Sequence, residues 1–413
     1  MPTAELQILS MGGEGDGVAQ GPVYVPFTLP GERVLAKGAG EHRRLVEVIQ
    51  ASPERVAPPC PHFGVCGGCV VQHWASEPYL AWKRDRVVQT LARQHIETDV
   101  LPIIGAPPFS RRRVALHARR GERGRARLGF KVRSAWDLAP IDTCIIADPK
   151  ITAALPALER LAAPLLEHPK SAPTLHVTLA DEGLDIDVTG VERKSGGLSA
   201  DARMRLAEHA AEAGLARLTL DGEIAYMDQD APSVRLDGVR VVLPPGAFLQ
   251  AAPVAEQVMT RFVGQAAAGA ERIADLFCGV GTFTFGLARI APVYAADGAA
   301  PAIAALNAAL AGAPGLKGVT AEARDLARRP LLAEEMKKID TVVFDPPRAG
   351  AAEQSAEIAR SGVARAIGVS CNPATFARDA RVLIEAGFRL EQVLPVDQFL
   401  WSAHVELVGV FSR

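Results

Sequence analysis

Three short stretches of this chain carry residues whose type and setting can do chemistry. GVSCNPATF, residues 368–376, ends a small apolar run on Cys371. A free cysteine packs as a small hydrophobe, and once ionised it is also a strong nucleophile, so both readings stand. DQFLWSAHVELVGVF places His404 and Glu406 at the head of another apolar run. A carboxylate there is either a solvated strand-edge acid or a base held at a site. Cys60, Cys66 and Cys69 have the spacing C-x5-C-x2-C, and Cys144 follows in IDTCII. Four thiolates suit a tetrahedral zinc ion, and they equally suit a [4Fe-4S] cluster.

The surrounding composition narrows the setting. The chain has 413 residues, 48% hydrophobic and 22% charged, which describes an ordinary globular protein long enough for two or three domains. Six cysteines, unevenly spread, are too few for a disulfide framework and point to metal or catalysis in a reducing compartment. The N-terminus MPTAELQILSMGGEGDG has neither a basic nor an apolar leader region, and no run reaches membrane-spanning length, so a cytoplasmic protein with no membrane partner is expected. Net charge is only -2, but residues 111–133 hold nine arginines, Lys131 and the single acid Glu122, a local +9 against -11 elsewhere. Apolar and basic residues alternate there around the turn GERG, the pattern of a β-hairpin with one buried and one cationic face. Charge of one sign favours a phosphate backbone over a merely solvated surface.

The elements that must position these groups fall into three parts. Residues 1–57 alternate short β-type runs with Gly-rich turns, the layout of a small barrel of about five strands. Residues 58–243 hold the cysteine cluster, a helical segment (EPYLAWKRDRVVQTLARQ), the basic hairpin and further strands. Residues 244–413 alternate helices and strands, which argues for a doubly wound α/β domain with a largely parallel sheet.

In that last part DLFCGVGTFTFGLA carries Gly279 and Gly281 at a strand-to-helix turn. Thr284 stands where a dinucleotide site usually has its third glycine, which weakens a pyrophosphate reading. Asp297 at the end of VYAAD is placed for ribose hydroxyls, and Asp325 after the next strand for an adenine amino group. This row suits S-adenosylmethionine, which has ribose and adenine but no phosphate. In DTVVFDPPRAG, Pro346 and Pro347 force the chain out at the carboxyl edge of the sheet and deliver Asp345 to the crevice, unless the motif is a plain strand-ending turn. RAIGVS ends on the same edge, with Cys371 immediately after it.

DLFCGVGTFTF, DPPRAG, SCNPATFARD and HVE, in this order, resemble the RNA (uracil-C5)-methyltransferase family, in particular its iron-sulfur-containing type that makes 5-methyluridine in 23S rRNA. The resemblance extends over nearly the whole chain. GDGVAQGPVYVPFTLPGE is similar to the family's TRAM/OB domain and CPHFGVCGGCVVQHW to its iron-sulfur segment. It implies a class I S-adenosylmethionine-dependent, Rossmann-like catalytic domain, an N-terminal OB/TRAM β-barrel, and a mixed α+β central domain holding a metal cluster. It further implies that Cys371 adds to C6 of a flipped-out uridine and that Glu406 removes the C5 proton. Gln250 of GAFLQAA, Phe277, Thr282, Asp297, Asp325 and Asp345 match cofactor-contact positions. Asp297 replaces a more usual glutamate, Thr282 a common asparagine, and Ala252 another asparagine. Cys60, Cys66, Cys69 and Cys144 match the four ligands of a [4Fe-4S] cluster. The expected partner is RNA: rRNA first, tRNA as the alternative, with no protein partner. An RNA-binding member that has lost catalysis is the competing class, and intact Cys371 and Glu406 argue against it.

Overall fold

Period-two alternation near the N-terminus produces five strands: β1 (Thr3–Met11), β2 (Asp16–Ala19), β3 (Val23–Pro26), β4 (Arg33–Lys37) and β5 (Arg44–Gln50). They form an antiparallel sheet in the order β3-β2-β1-β4-β5, with Ile8, Val25, Val34 and Ala36 in its small core. Tyr24 donates its N–H to Glu41 and accepts from the Arg43 N–H, which joins β3 to the chain entering β5 and curls the sheet toward closure. The computed structural model describes residues 2–122, 125–133, 135–192 and 197–413. Arg123 and Gly124 of the expected GERG turn lie outside the described residues.

Next along the chain come α1 (Ser76–Arg93), β6 (Asp99–Val100) and β7 (Ile104–Gly105). A central sheet then forms from β8 (Arg113–Arg120), β9 (Ala126–Lys131), β10 (Leu138–Pro140), β11 (Thr174–Ala180), β12 (Gly183–Thr189), β13 (Leu215–Leu220) and β14 (Glu223–Met227), in the order β10-β9-β8-β11-β12-β13-β14. Between β10 and β11 run α2 (Pro149–Ala153) and α3 (Leu155–Leu165), and α4 (Ala200–Glu212) precedes β13. Leu158, Leu161, Leu206 and Ala210 on α3 and α4 pack on the apolar hairpin face of Val114, Leu116, Ala118, Ala126 and Leu128.

The arginines of residues 111–133 are less free than the expected cationic surface requires. Arg112 pairs with the buried Glu256 and donates to the Gln250 carbonyl at 3.0 Å, and Arg113 donates to the Leu249 carbonyl at 2.7 Å. Arg120 bonds the Leu166 carbonyl, and Arg133 pairs with Asp16 at 2.7 Å. Much of the local positive charge therefore fastens parts of the molecule together. Long arginine stems let guanidinium groups reach inward, which a sequence pattern does not reveal.

The last part contains the hairpin β15 (Ser233–Leu236) and β16 (Val239–Val242), then α5 (Pro253–Ala266), β17 (Ile273–Leu276), α6 (Thr284–Ile290), β18 (Val293–Asp297), α7 (Ala300–Leu310) and β19 (Val319–Ala323). These are followed by β20 (Thr341–Phe344), α8 (Ala352–Arg360), β21 (Arg365–Ser370), α9 (Pro373–Glu385), β22 (Arg389–Asp397) and β23 (Glu406–Ser412). Strands β19-β18-β17-β20-β21 are parallel, β23 and β22 continue the sheet antiparallel, and β6 and β7 add to β22. IADL, TVVF and all but the first residue of RAIGVS are buried, as strands covered on both faces must be. This body does not begin at residue 244: Val234, Leu236, Val239 and Val241 join one of its cores, and Val87, Leu91 and Val100 join the other. Among the described residues no helix is long and apolar enough to cross a membrane.

Candidate active site

Strand order reverses between β17 and β20, since β18 and β19 lie to one side and β21 to the other. The crevice beyond the carboxyl ends of strands at such a reversal is where open α/β sheets bind ligands. Phe277 leaves β17 with φ 62, a left-handed conformation that costs a non-glycine residue about 1 kcal/mol or more and clusters at functional sites. Gly281, at φ 103, is needed for a second reason: a Cβ there would lie 2.7 Å from the Phe285 ring and 2.8 Å from Leu306.

Carboxylates line the crevice. Asp297 accepts the Gly279 N–H at 2.9 Å and the Ala299 N–H at 2.7 Å, which fixes the turn while leaving the side chain partly open. Asp275 is fully buried within β17; one oxygen takes the Thr284 hydroxyl at 2.5 Å and the other has no hydrogen-bond partner among the described residues. Burial pushes its carboxyl up to about 7, opposed by the Thr284 bond and reinforced by Asp345 and Asp297. Asp345, delivered directly after β20, is pushed to about 7, again by burial first. Among the described residues no cation lowers the Asp275 or Asp345 carboxyl, so this part of the crevice suits a positively charged ligand.

Asp345 is connected to Glu406 through two amides. Gln250 donates to Asp345 at 3.1 Å and accepts from Gln398 at 2.8 Å. The same Gln398 nitrogen donates its other hydrogen to Glu406 at 2.7 Å, and the Gln398 oxygen takes the Ala251 N–H at 2.8 Å. Glu406 is 3% exposed, so the edge-acid alternative fails. Burial, then the charge of Asp345, push its carboxyl up to about 8 against the opposing Gln398 bond.

Cys371 follows β21 and is half-buried. Burial raises its thiol to about 11, with Glu406 and Asp345 adding to the effect and Arg348 opposing it. The Asn-Pro after it has a structural purpose. Asn372 accepts the Ala374 N–H at 3.1 Å as the cap of α9, Pro373 fits the first helical position, and the Asn372 amide donates to the Arg348 carbonyl at 3.2 Å. The DPPR and CNPAT segments are thereby stitched side by side.

Gln250, Phe277, Thr282, Asp297, Asp345, Cys371 and Glu406 thus belong to this one sheet edge. Asp325 follows β19 at the same edge, beside Gly298; its carboxylate is about half exposed and accepts the Ala327 and Arg328 N–H groups at 3.1 and 3.3 Å. Sequence reasoning missed Gln398, for which the only signal is the polar pair Asp397-Gln398 closing an apolar strand. Asp397 is buried as well; it accepts Tyr79 and Lys83 at 2.5 Å each, and Lys83 also donates to the Phe399 carbonyl at 3.0 Å. Trp401 donates its N–H to the Tyr79 oxygen at 2.7 Å, so α1 anchors the loop running from Gln398 to Glu406.

A second site lies beside that loop. Cys60, Cys66, Cys69 and Cys144 all line a cavity of about 1600 Å³ between the N-terminal sheet, the end of β9 and residues 399–404. The Gly67 N–H donates to the Lys131 carbonyl at 2.9 Å, an approach that a Cβ, 2.7 Å from that oxygen, would block. On the other side Val70 and Val71 donate to the Trp401 carbonyl. Burial pushes the Cys69 thiol up to about 12 and raises Cys66 and Cys144, and neighbouring thiols add to each shift. Among the described residues no group of three or more His, Cys, Asp or Glu side chains is arranged to hold a single metal ion.

A family model described as tRNA (uracil-5-)-methyltransferase matches residues 240–413. An uncharacterized RNA methyltransferase of Caulobacter vibrioides is 61% identical, with 99% of this chain and 100% of that protein aligned. The 23S rRNA (uracil(1939)-C(5))-methyltransferase RlmD of Alkalilimnicola ehrlichii is 35% identical over 99% of this chain and 96% of its own. The crystal structure of Pyrococcus abyssi tRNA (uracil-54, C5)-methyltransferase in complex with S-adenosyl-L-homocysteine shares the fold, with a TM-score of 0.74 over 98% of this chain and 99% of that one at 24% identity.

Proposed function

The chain belongs to the RNA (uracil-C5)-methyltransferase family, and from that premise we propose that it methylates a uridine of 23S rRNA using Cys371 and Glu406. The target is supported by the full-length likeness to an RlmD protein. A tRNA substrate is the second reading, favoured by the family model's own description.

The observation that carries the catalytic assignment is the meeting of a half-buried thiol and a buried carboxyl at one sheet edge, where Ser370 pairs with Leu407 and the Glu406 carboxyl raises the Cys371 thiol. Uracil C5 is a weak nucleophile. Cys371, as thiolate, adds to C6, and the electron pair displaced from the C5–C6 double bond makes C5 electron-rich. Once C5 bears both a methyl group and its original hydrogen, Glu406 takes that proton, the double bond re-forms and the thiolate leaves. Gln398 orients the Glu406 carboxyl by its hydrogen bond. S-adenosylmethionine, when bound, supplies the methyl group on a cationic sulfur. Gln250, Phe277, Thr282, Asp297, Asp325 and Asp345 would hold it, and the orphaned buried oxygen of Asp275 together with the uncompensated acid fits a cation. The uridine is flipped from its stack, because thiol and methyl donor cannot both reach a stacked base.

The remaining assignments belong to the same proposal. Residues 1–57 act as a TRAM/OB-type RNA-binding barrel, supported by the curled five-stranded sheet. Cys60, Cys66, Cys69 and Cys144 would hold a [4Fe-4S] cluster, a reading supported by four thiols on one cavity. The enzyme works in the cytoplasm, with its RNA.

Mass mapping of RNA from cells with and without the gene tests the activity. One 5-methyluridine is expected to vanish from 23S rRNA. Loss from tRNA would transfer the target to the second reading, and no loss anywhere would sink the catalytic one. Anaerobically purified protein should carry about four irons and four sulfides per chain; zinc in their place would overturn the cluster.

A further inference from the structure

Because so many of the hairpin arginines are engaged inside the molecule, one exposed group stands out. Trp136 follows β9 and is 80% exposed, whereas Trp74 and Trp82 are buried at 5% and 9%. Water-exposed indole of this extent is uncommon without a binding role. The Lys131 ammonium lies 3.8 Å from its ring centroid, a cation–π contact that backs one face and leaves the other open. Both residues line the 1600 Å³ cavity, together with Arg43 and Arg44 from the N-terminal sheet and Phe399 and His404 from the loop that leads to Glu406. The rings of Phe399 and His404 meet edge to face at 5.9 Å. Arg348, beside Cys371, also acts on His404, so this end of the cavity adjoins the catalytic crevice.

We propose that Trp136, backed by Lys131, is a stacking platform for an unpaired nucleotide of the substrate RNA that flanks the target uridine, a reading that rests on RNA being the substrate. Aromatic faces beside cationic groups are how single-stranded RNA is held: each base offers a π-face and each phosphate a charge. The open indole face accepts any base, while Lys131, Arg43 and Arg44 face the backbone. A protein partner would also cover an exposed tryptophan, but the cations sharing its cavity favour a polyanion.

Cytidine octamer, which contains no uracil, separates this from the methylation chemistry. The full-length protein should bind it with quenching of tryptophan emission. Trp136→Ala should weaken binding ~10-fold, within the range measured for base–aromatic stacking, while Trp136→Phe keeps affinity within about 2-fold and loses the quenching. On the natural RNA, Trp136→Ala should raise KM at nearly unchanged kcat. Equal octamer affinity for Trp136→Ala and the parent at the same salt, or a Phe variant as weak as the Ala variant, would overturn the platform. Failure of the parent to bind the octamer while it methylates its RNA would overturn it too, and would leave the face to a protein partner. If no 5-methyluridine depends on the gene and the Trp136 effect persists, the platform stands and the catalytic reading falls.

Discussion

Cys371 and Cys69 are both held well above an ordinary thiol, at about 11 and about 12, and burial is the largest cause at each. The charges that add to burial differ. Around Cys371 they are the carboxylates Glu406 and Asp345; around Cys69 they are Cys144, Cys66 and Cys60. At each site the neighbours oppose the thiolate, but the remedies are not alike. Thiols that repel one another are relieved together by a multivalent centre binding all of them. A thiol opposed by carboxyls is relieved when those carboxyls keep their protons or face a cation, so proton occupancy and reactivity are linked there. On the proposed function one region ligates and the other titrates.

The harshest way to break this distinction is to remove each group's sulfur or charge. Cys371→Ala should reduce methylation to background and abolish the covalent adduct with 5-fluorouridine RNA, while iron content stays at the parent level. Residual adduct would move the nucleophile elsewhere. Glu406→Gln keeps shape and hydrogen bonding but cannot take the C5 proton. Turnover should fall by ~10²–10⁴-fold, the usual worth of a positioned base, with a covalent protein–RNA species accumulating on denaturing gels. Gln398→Leu should cost ~10–100-fold, because it leaves buried partners unpaired by about 1–3 kcal/mol. Its sharper signature is in the pH–rate profile. The Gln398 bond lowers the Glu406 value, so its loss should shift the rising limb to higher pH. An unshifted limb would detach Gln398 from the base.

Much of the scaffold was legible because burial on both faces writes itself as apolar runs: IADL, VYAAD, TVVF and RAIGVS all form strands where the pattern places them. Helix α8 was not legible. Its buried face includes Gln354 and Ser355, and Gln354 spends both ends of its amide on the Leu331 backbone, so Ile358 is the single large apolar residue among those it buries. The same cause hid Gln398, a polar residue whose partners Gln250 and Glu406 come from distant segments. The arginines of the hairpin misled in the opposite direction. Period-two alternation shows which face they leave from but not whether the guanidinium turns back to a carbonyl, as Arg113 does at Leu249.

The mildest test leaves the sequence intact and titrates the crevice. Asp275 and Asp345 near 7 and Glu406 near 8 hold their protons more tightly folded than at their unfolded values of 3.8, 3.8 and 4.5. Between the unfolded and folded values the folded state binds more protons, so this contribution to stability is full below about pH 4, falls by about 1.4 kcal/mol for each unit of pH over which a group is ionised in the unfolded chain but protonated in the folded one, and is gone once pH has risen through 7 and 8. S-adenosylmethionine brings a positive sulfur to these carboxylates; S-adenosylhomocysteine has the same shape without the charge. The melting temperature gained from S-adenosylmethionine should therefore be a few degrees larger at pH 8 than at pH 6, and the gain from S-adenosylhomocysteine should change little. The cysteine cavity contributes nothing to this difference, because its thiols stay protonated or ligated at both values. Parallel pH dependence for the two ligands would show that the crevice carboxyls do not answer to the sulfonium charge, and the contrast between a titrating and a ligating region would lose its basis.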